Sequence, residues 1–201
     1  MRTVTGLFDD YADARNAVTD LEAAGVPSDD ISIVANNIAD RDATDSSDAA
    51  EGAGTGAGLG AVGGGVVGLL TGLGLMAIPG VGPVVAAGWL ASTAAGAAAG
   101  AVAGGAAGGL IDALTDSGID EEDAHVYAEG VRRGGTLVTA RVDDSLVPNA
   151  EAILEQRDRV DPIARRTLYA EEGWTRFDDN ADPYTLDQVR RERERYRAMM
   201  P

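Results

Sequence analysis

The sequence has 201 residues, enough for one or two small domains, with no Cys, a single His and a formal charge of -17. The lack of Cys excludes disulfides, thiolate nucleophiles and sulfur-ligated metals, and His125 has no second His with which to build a zinc or iron site. All 16 basic residues are Arg, which removes a Walker lysine, a Schiff-base lysine and a Ser-Lys dyad, while 22 Asp and 11 Glu give a surface that repels nucleic acid and anionic headgroups.

Asp in excess with no Lys fits either a salty cytosol, where hydrated carboxylates keep a surface soluble, or a GC-rich genome. The N-terminus turns acidic at Asp9 and Asp10 without a long apolar run, so it does not read as a signal peptide, and a cytoplasmic start is expected. Residues 2–8 alternate as a strand. Asp9 then offers an N-cap to a helix with apolar positions Tyr11, Ala14, Val18, Leu21 and Ala24, stopped by Gly25 and Pro27. Asp30 to Ala35 reads as a second strand, which makes the opening a βαβ unit with both strands parallel in one sheet.

Residues 37–51 are polar and acidic, with no periodic apolar face, and read as a linker. Residues 52–111 then carry no charge at all. Gly52, Gly56, Gly60, Gly64, Gly68 and Gly72 stand four apart, and the spacing returns at Gly88, Ser92, Gly96, Gly100, Gly104 and Gly108. On a helix, each set forms one small-residue stripe along which two backbones can approach closely. Between the sets, Pro79, Gly80, Gly82 and Pro83 mark a turn, so the stretch is expected to be a hairpin of two helices, of about 26 and about 30 residues. At a rise of about 1.5 Å per residue either is long enough to span a bilayer. The bulky residues crowd toward the turn, from Leu69 and Leu70 through Met76 and from Val84 to Leu90, which suggests a tip that enters apolar surroundings.

Charge resumes at Asp112. Asp120 to Asp123 opens a helix that ends at Gly134-Gly135, with acids first and Arg132-Arg133 last, in keeping with the helix dipole. Thr136 to Val142 reads as a strand, Pro148 sits in the first turn of the next helix, and a short strand is expected around Val160 to Ile163, demoted to a sheet edge by Pro162. Residues 164–183 look irregular, with Tyr169, Trp174 and Phe177 as anchors. Thr185-Leu186-Asp187-Gln188 then matches a capping box ahead of an Arg/Glu-rich helix. That helix is either a solvated, salt-bridged end or an electrostatic clasp on an acidic surface of the same or a neighbouring molecule.

The halves read βαβ and αβαβ, and neither makes a complete core. The expected fold is therefore α+β: a ferredoxin-like split βαβ domain interrupted by a Gly/Ala-rich antiparallel helical hairpin and followed by a charged C-terminal helix. The expected divisions are 1–36 and 116–165 for the domain, 37–51 for the linker, 52–115 for the hairpin, and 166–201 for an extension with a helix at 185–198.

Three stretches carry a family resemblance: Thr5-Gly6-Leu7-Phe8-Asp9-Asp10, the turn from Ala77 to Val84, and Tyr127 to Val142 with its Arg132-Arg133-Gly134-Gly135-Thr136 step. Over about residues 1–165 the chain resembles the heat-induced general stress proteins of the 17M-like type, in versions with a glycine-zipper insertion. The resemblance implies a non-enzymatic, stress-linked protein, often treated as membrane-associated, with no catalytic residues to carry over. The Arg-rich tail stands outside the pattern.

Other motifs point to little chemistry. Gly58-Leu59-Gly60-Ala61-Val62-Gly63 satisfies G-x-G-x-x-G but follows an acidic linker instead of a strand. Glu121, Glu122 and Asp123, or Asp143 and Asp144, lack the calcium-loop pattern and read as caps and solvated turns. His125 has no visible nucleophilic or orienting partner. No enzyme, cofactor or metal is expected. An exposed uncharged run of this length needs a cover, either lipid or further copies of itself. The expected function is self-association through the hairpin, with membrane insertion or association and both termini in the cytoplasm. A soluble homo-oligomeric scaffold and a small-molecule-binding regulatory domain are the alternatives.

Overall fold

The computed structural model describes residues 1–36, 74–78, 80–90, 92–93 and 109–199. Five strands, β1 (Arg2–Phe8), β2 (Ile31–Asn36), β3 (Gly74–Ile78), β4 (Gly82–Ala87) and β5 (Thr136–Val142), make one antiparallel sheet in the order β1-β5-β2-β4-β3. Six α-helices accompany it among the described residues: α1 (Tyr11–Ala23), α2 (Gly109–Asp116), α3 (Glu121–Arg132), α4 (Val147–Glu155), α5 (Pro162–Glu171) and α6 (Leu186–Met199). The α+β class expected from the sequence is borne out.

The β1-α1-β2 unit leaves its two strands parallel, as expected, but not adjacent. Both pair antiparallel with β5, and Leu7 and Val34 stand on either side of Leu137. Because successive side chains alternate between faces, each strand feeds two cores. On one face, Val4, Phe8, Ile31, Ile33, Val138 and Ala140 meet Ala14, Val18 and Leu21 of α1 and Ala150 and Leu154 of α4. On the other, Leu7, Val34, Leu137, Val84 and Ala86 meet Leu110 and Leu114 of α2 and Ala124, Tyr127, Ala128 and Val131 of α3. Full burial contributes about 1.5–3 kcal/mol for each large aliphatic side chain, so both layers are needed for a domain this size.

The helical-hairpin expectation is corrected where the structure describes it. Residues 74–78 and 82–87 are strands, and the Pro/Gly turn between them closes a β-hairpin added beyond β2. The physical cause lies in the bulky residues near the turn. Ile78, Val81, Val84, Ala86 and Leu90 are buried in the second core, while Ala87 reaches the first. A two-faced strand uses such a run fully, and nothing in a short apolar run separates strand from helix by period alone. These six residues therefore lie in protein. Gly88, placed on the second helical stripe by its spacing, sits instead at a bend with φ of 88°, where a Cβ would run into the Ile31 carbonyl and Ser32. Ser92 is exposed, its hydroxyl donating to the Trp89 carbonyl at 2.7 Å. Gly52, Gly56, Gly60, Gly64, Gly68, Gly72, Gly96, Gly100, Gly104, Gly108, Pro79 and the 37–51 linker lie outside the described residues. Among the described residues, no helix is long and apolar enough to cross a membrane.

Three local readings also change. Asp10, not Asp9, caps α1, accepting from the Ala12 amide at 2.9 Å. No strand forms at Val160 to Ile163: the Val160 amide donates once to the Leu7 carbonyl at the outer edge of β1, at 2.8 Å, and Asp161 and Pro162 then cap and open α5. Residues 162–171, read from the sequence as the end of that strand and the start of an irregular stretch at 164–183, are thus helical. Both Asp161 acceptances, from Ile163 and Ala164, and proline's fixed φ at the first turn favour this start.

Candidate functional site

The densest cluster of ionisable side chains among the described residues lies where the chain end folds back on α3. The helix stops in the order Arg132-Arg133-Gly134-Gly135, and Gly134 has φ of 101°, a conformation glycine adopts without a Cβ penalty. The turn leaves the Arg133 side chain 5% exposed beside Glu129, which is 1% exposed. A carboxylate buried so deeply must be paired. The Arg133 Nε donates to Glu129 Oε1 at 2.7 Å, and its Nη1 donates to Glu172 Oε2 at 2.5 Å and to Glu192 Oε2 at 3.2 Å. Burial works against the Arg133 charge, but the Glu129 hydrogen bond and charge outweigh it and hold the guanidinium pKa above its ordinary value.

Aromatic rings complete the enclosure. The Arg133 guanidinium lies 4.1 Å from the Tyr169 ring centroid, and Arg165 lies 3.7 Å from that of Tyr196. Arg165 binds Asp9 through two hydrogen bonds, at 2.9 and 2.6 Å, tying α5 to the end of β1. Burial pushes the Tyr169 phenol up to about 12. It also raises Tyr196, aided by the neighbouring Tyr169 and by Glu192, to which the Tyr196 hydroxyl donates at 2.5 Å. Both phenols stay protonated at neutral pH; the Tyr196 hydroxyl is hydrogen-bonded, whereas the Tyr169 hydroxyl is buried without a hydrogen-bond partner and its ring serves by packing.

Helix α6 supplies the far side. Its capping box forms as the sequence predicts: the Thr185 amide donates to Gln188 Oε1 at 2.9 Å, and the Gln188 amide donates back to Thr185 Oγ1 at 3.4 Å. Val189 is fully buried against Gly134, where a Cβ would collide with it. Arg193 donates to the Gly134 carbonyl at 2.8 Å, and Arg195 pairs with Glu172. Of the two readings of this helix, the clasp within the same molecule describes its inner face. Tyr169, Trp174 and Phe177 are the anchors the sequence marks: Tyr169 and Phe177 are buried, and Trp174 packs edge-on against Tyr169 at 5.4 Å.

Of the turn residues singled out by the sequence, Gly80 and Gly82 stand against the returning segment. A Cβ on Gly80 would lie 2.6 Å from the Asp178 carbonyl oxygen, and one on Gly82 would lie 2.7 Å from Pro183. Pro83 is exposed. What sequence reasoning missed is the Arg133 network. Its Glu129 partner, four residues back, is a readable helical spacing, but Glu172 and Glu192 lie 39 and 59 residues away.

Every charged member of this cluster is engaged by another, and the arrangement offers no nucleophile beside a free base. His125, 8% exposed, has its Nε2 3.7 Å from Glu121 and its Nδ1 buried without a hydrogen-bond partner; burial and then Arg176 lower its pKa, against the opposing effect of Glu121. Glu122 and Asp123 pair with Arg166. Among the described residues there is no group of three or more His, Asp or Glu placed to hold a metal ion.

No curated protein and no solved structure matches the chain. A family model described as the heat induced stress protein YflT domain matches residues 3–81, from β1 through the turn that follows β3. Over that span, the resemblance to the heat-induced general stress proteins read from the sequence is shown.

Proposed function

We propose that this chain is a non-enzymatic, stress-associated structural protein that acts by self-association through its two glycine arrays, Gly52 to Gly72 and Ser92 to Gly108. The observation that carries the reading is the strict four-residue spacing of small residues across two charge-free segments that flank the β3–β4 hairpin. Small-residue stripes let backbones approach closely enough for packing and weak backbone contacts to hold helices together. Placing β5 between β1 and β2 supports the split βαβ reading of the domain that presents them. Ile78, Val81, Val84 and Leu90 do not argue for lipid, since they fill the second core. The proposed partner is therefore a second copy of the chain.

Native mass measurement on the full chain without detergent tests this. The expected result is a particle larger than one chain that shrinks in Gly64→Leu and Gly100→Leu. A monomeric wild type, or an assembly indifferent to both substitutions, sinks the reading. Flotation with neutral phosphatidylcholine vesicles is the second arm: co-migration of the wild type that is lost in the same variants assigns the arrays to a bilayer instead.

A further inference from the structure

Among its contacts, the returning segment, residues 177–196, covers three glycines with no room for a Cβ, in two separate places. Val189 occupies the space at Gly134, while Phe177 to Asp179 and Pro183 lie over Gly80 and Gly82 in the β3–β4 turn. Phe177 belongs to the same apolar core as Ile78, Val81 and Val84, so this segment supplies part of the wall that holds the hairpin. Between the two contacts, Arg132 donates to the Asp182 carbonyl at 3.1 Å and lies 5.1 Å from the Tyr184 ring centroid.

The hold is uneven. Among the described side chains of α6, only Val189 and Tyr196 are buried, and its other contacts with the domain include polar ones at its surface: Glu192 with Arg133, Arg195 with Glu172, and Arg193 with the Gly134 carbonyl. An element with so few buried apolar side chains belongs to the low-stability end of a fold. The β3–β4 hairpin, in contrast, sits at the end of the sheet, with β3 as its outermost strand. The first glycine array ends just before β3, and the second follows β4.

We propose that residues 177–196 are an intramolecular strap that holds the β3–β4 turn in the sheet, and that its release frees the hairpin and raises self-association through the flanking arrays. The second half rests on the self-association reading above; restraint of the turn does not.

Hydrogen exchange on the full chain, followed by mass measurement, separates the two halves. Val189→Asp puts a charge into the Gly134 contact, and Arg195→Glu turns an attraction to Glu172 and Glu192 into a repulsion without touching the apolar core. In both variants, amides of α6 and of residues 78–87 should exchange about tenfold faster, a loss of about 1.4 kcal/mol of local protection. Those of β1 and β5 should hold. If Val189→Asp also loses protection in β5, the molecule has unfolded as a whole and Arg195→Glu decides. Faster exchange in α6 with residues 78–87 unchanged overturns the strap, as does unaltered α6 exchange in both variants. Faster exchange at 78–87 with a rise in particle mass supports both halves. Faster exchange with unchanged mass leaves the strap standing and removes its coupling to self-association, while a monomeric wild type removes the self-association reading itself.

Discussion

Residues 78–90 carry no charge, whereas residues 186–199 are dominated by Arg and Glu. On composition alone the first looks destined for lipid and the second for solvent. Both instead fold onto the same domain, and the segment leading into the second lies over the turn of the first. They are held differently. The charge-free segment is fixed by Ile78, Val81, Val84 and Leu90 inside an apolar core, and the charged one by two apolar anchors and a set of enclosed ion pairs. Charge density along a chain thus says little about burial when a carboxylate such as Glu129 has a guanidinium at 2.7 Å.

The largest effect should come from breaking the charged side of this comparison. Arg133→Ala leaves Glu129 buried with only the weaker Arg132 contact at 3.4 Å, and removing one member of a buried pair costs about 3–5 kcal/mol. Urea unfolding should show that loss. The double variant Arg133→Met with Glu129→Met should recover most of it, because the penalty is that of an unpaired charge more than of a missing bond. The matching blow to the charge-free side is Leu90→Ala. Leu90 is fully buried, and truncation should cost about 2–5 kcal/mol according to how far the cavity closes. Leu90 would be nearly neutral if residues 78–90 were released into solvent or lipid in the native state, so this variant tests the placement itself.

How much of this could be read from the chain follows the range of the interactions. The sequence predicts β1 and β5 at residues 2–8 and 136–142, where they are observed, because alternation and the flanking glycines are local signals. The capping box of α6 is legible for the same reason. The β3–β4 hairpin is not: its apolar residues fit either period, and the glycine spacing on both sides extends a helical pattern through it. What decides is tertiary. β2 has an edge to fill, and Asn36 to Ile33 pair there with Val84 to Ala87. Neither partner announces this in its own sequence. In the clasp, likewise, the Arg133–Glu129 spacing is visible and the convergence of Glu172 and Glu192 is not.

A smaller effect depends on pH. Burial, the leading cause, and Arg176 lower the His125 pKa from 6.5, so the unfolded chain takes up a proton at a pH where the folded protein does not. The neutral imidazole's contribution to stability is therefore complete above about pH 6.5 and is lost as the pH falls from there through the lowered folded value. One proton sets a ceiling of about 1.4 kcal/mol per pH unit. Urea midpoints should drop between about pH 7.5 and about pH 5.5, and His125→Gln should flatten the drop. An equal slope in the variant would move the titration to other groups. Because His125 sits on α3, which packs against both α2 and α5, the result also reports how tightly the layer beneath the clasp is closed.

The smallest effect isolates the reason the clasp matters. Arg157 on the far side of the sheet donates its Nε to Asp20 Oδ2 at 2.7 Å, the same separation as Arg133 Nε to Glu129 Oε1. The two pairs share donor type and length and differ in enclosure: 38% and 36% exposed for Arg157 and Asp20, against 5% and 1%. Water screens the first pair and hydrates whichever partner is left behind, so Arg157→Ala should cost no more than about 1 kcal/mol, and less in high salt. If Arg157→Ala matched Arg133→Ala in urea unfolding, bond geometry rather than burial would set the strength of both contacts. The charged end would then need no shelter from solvent to stay docked.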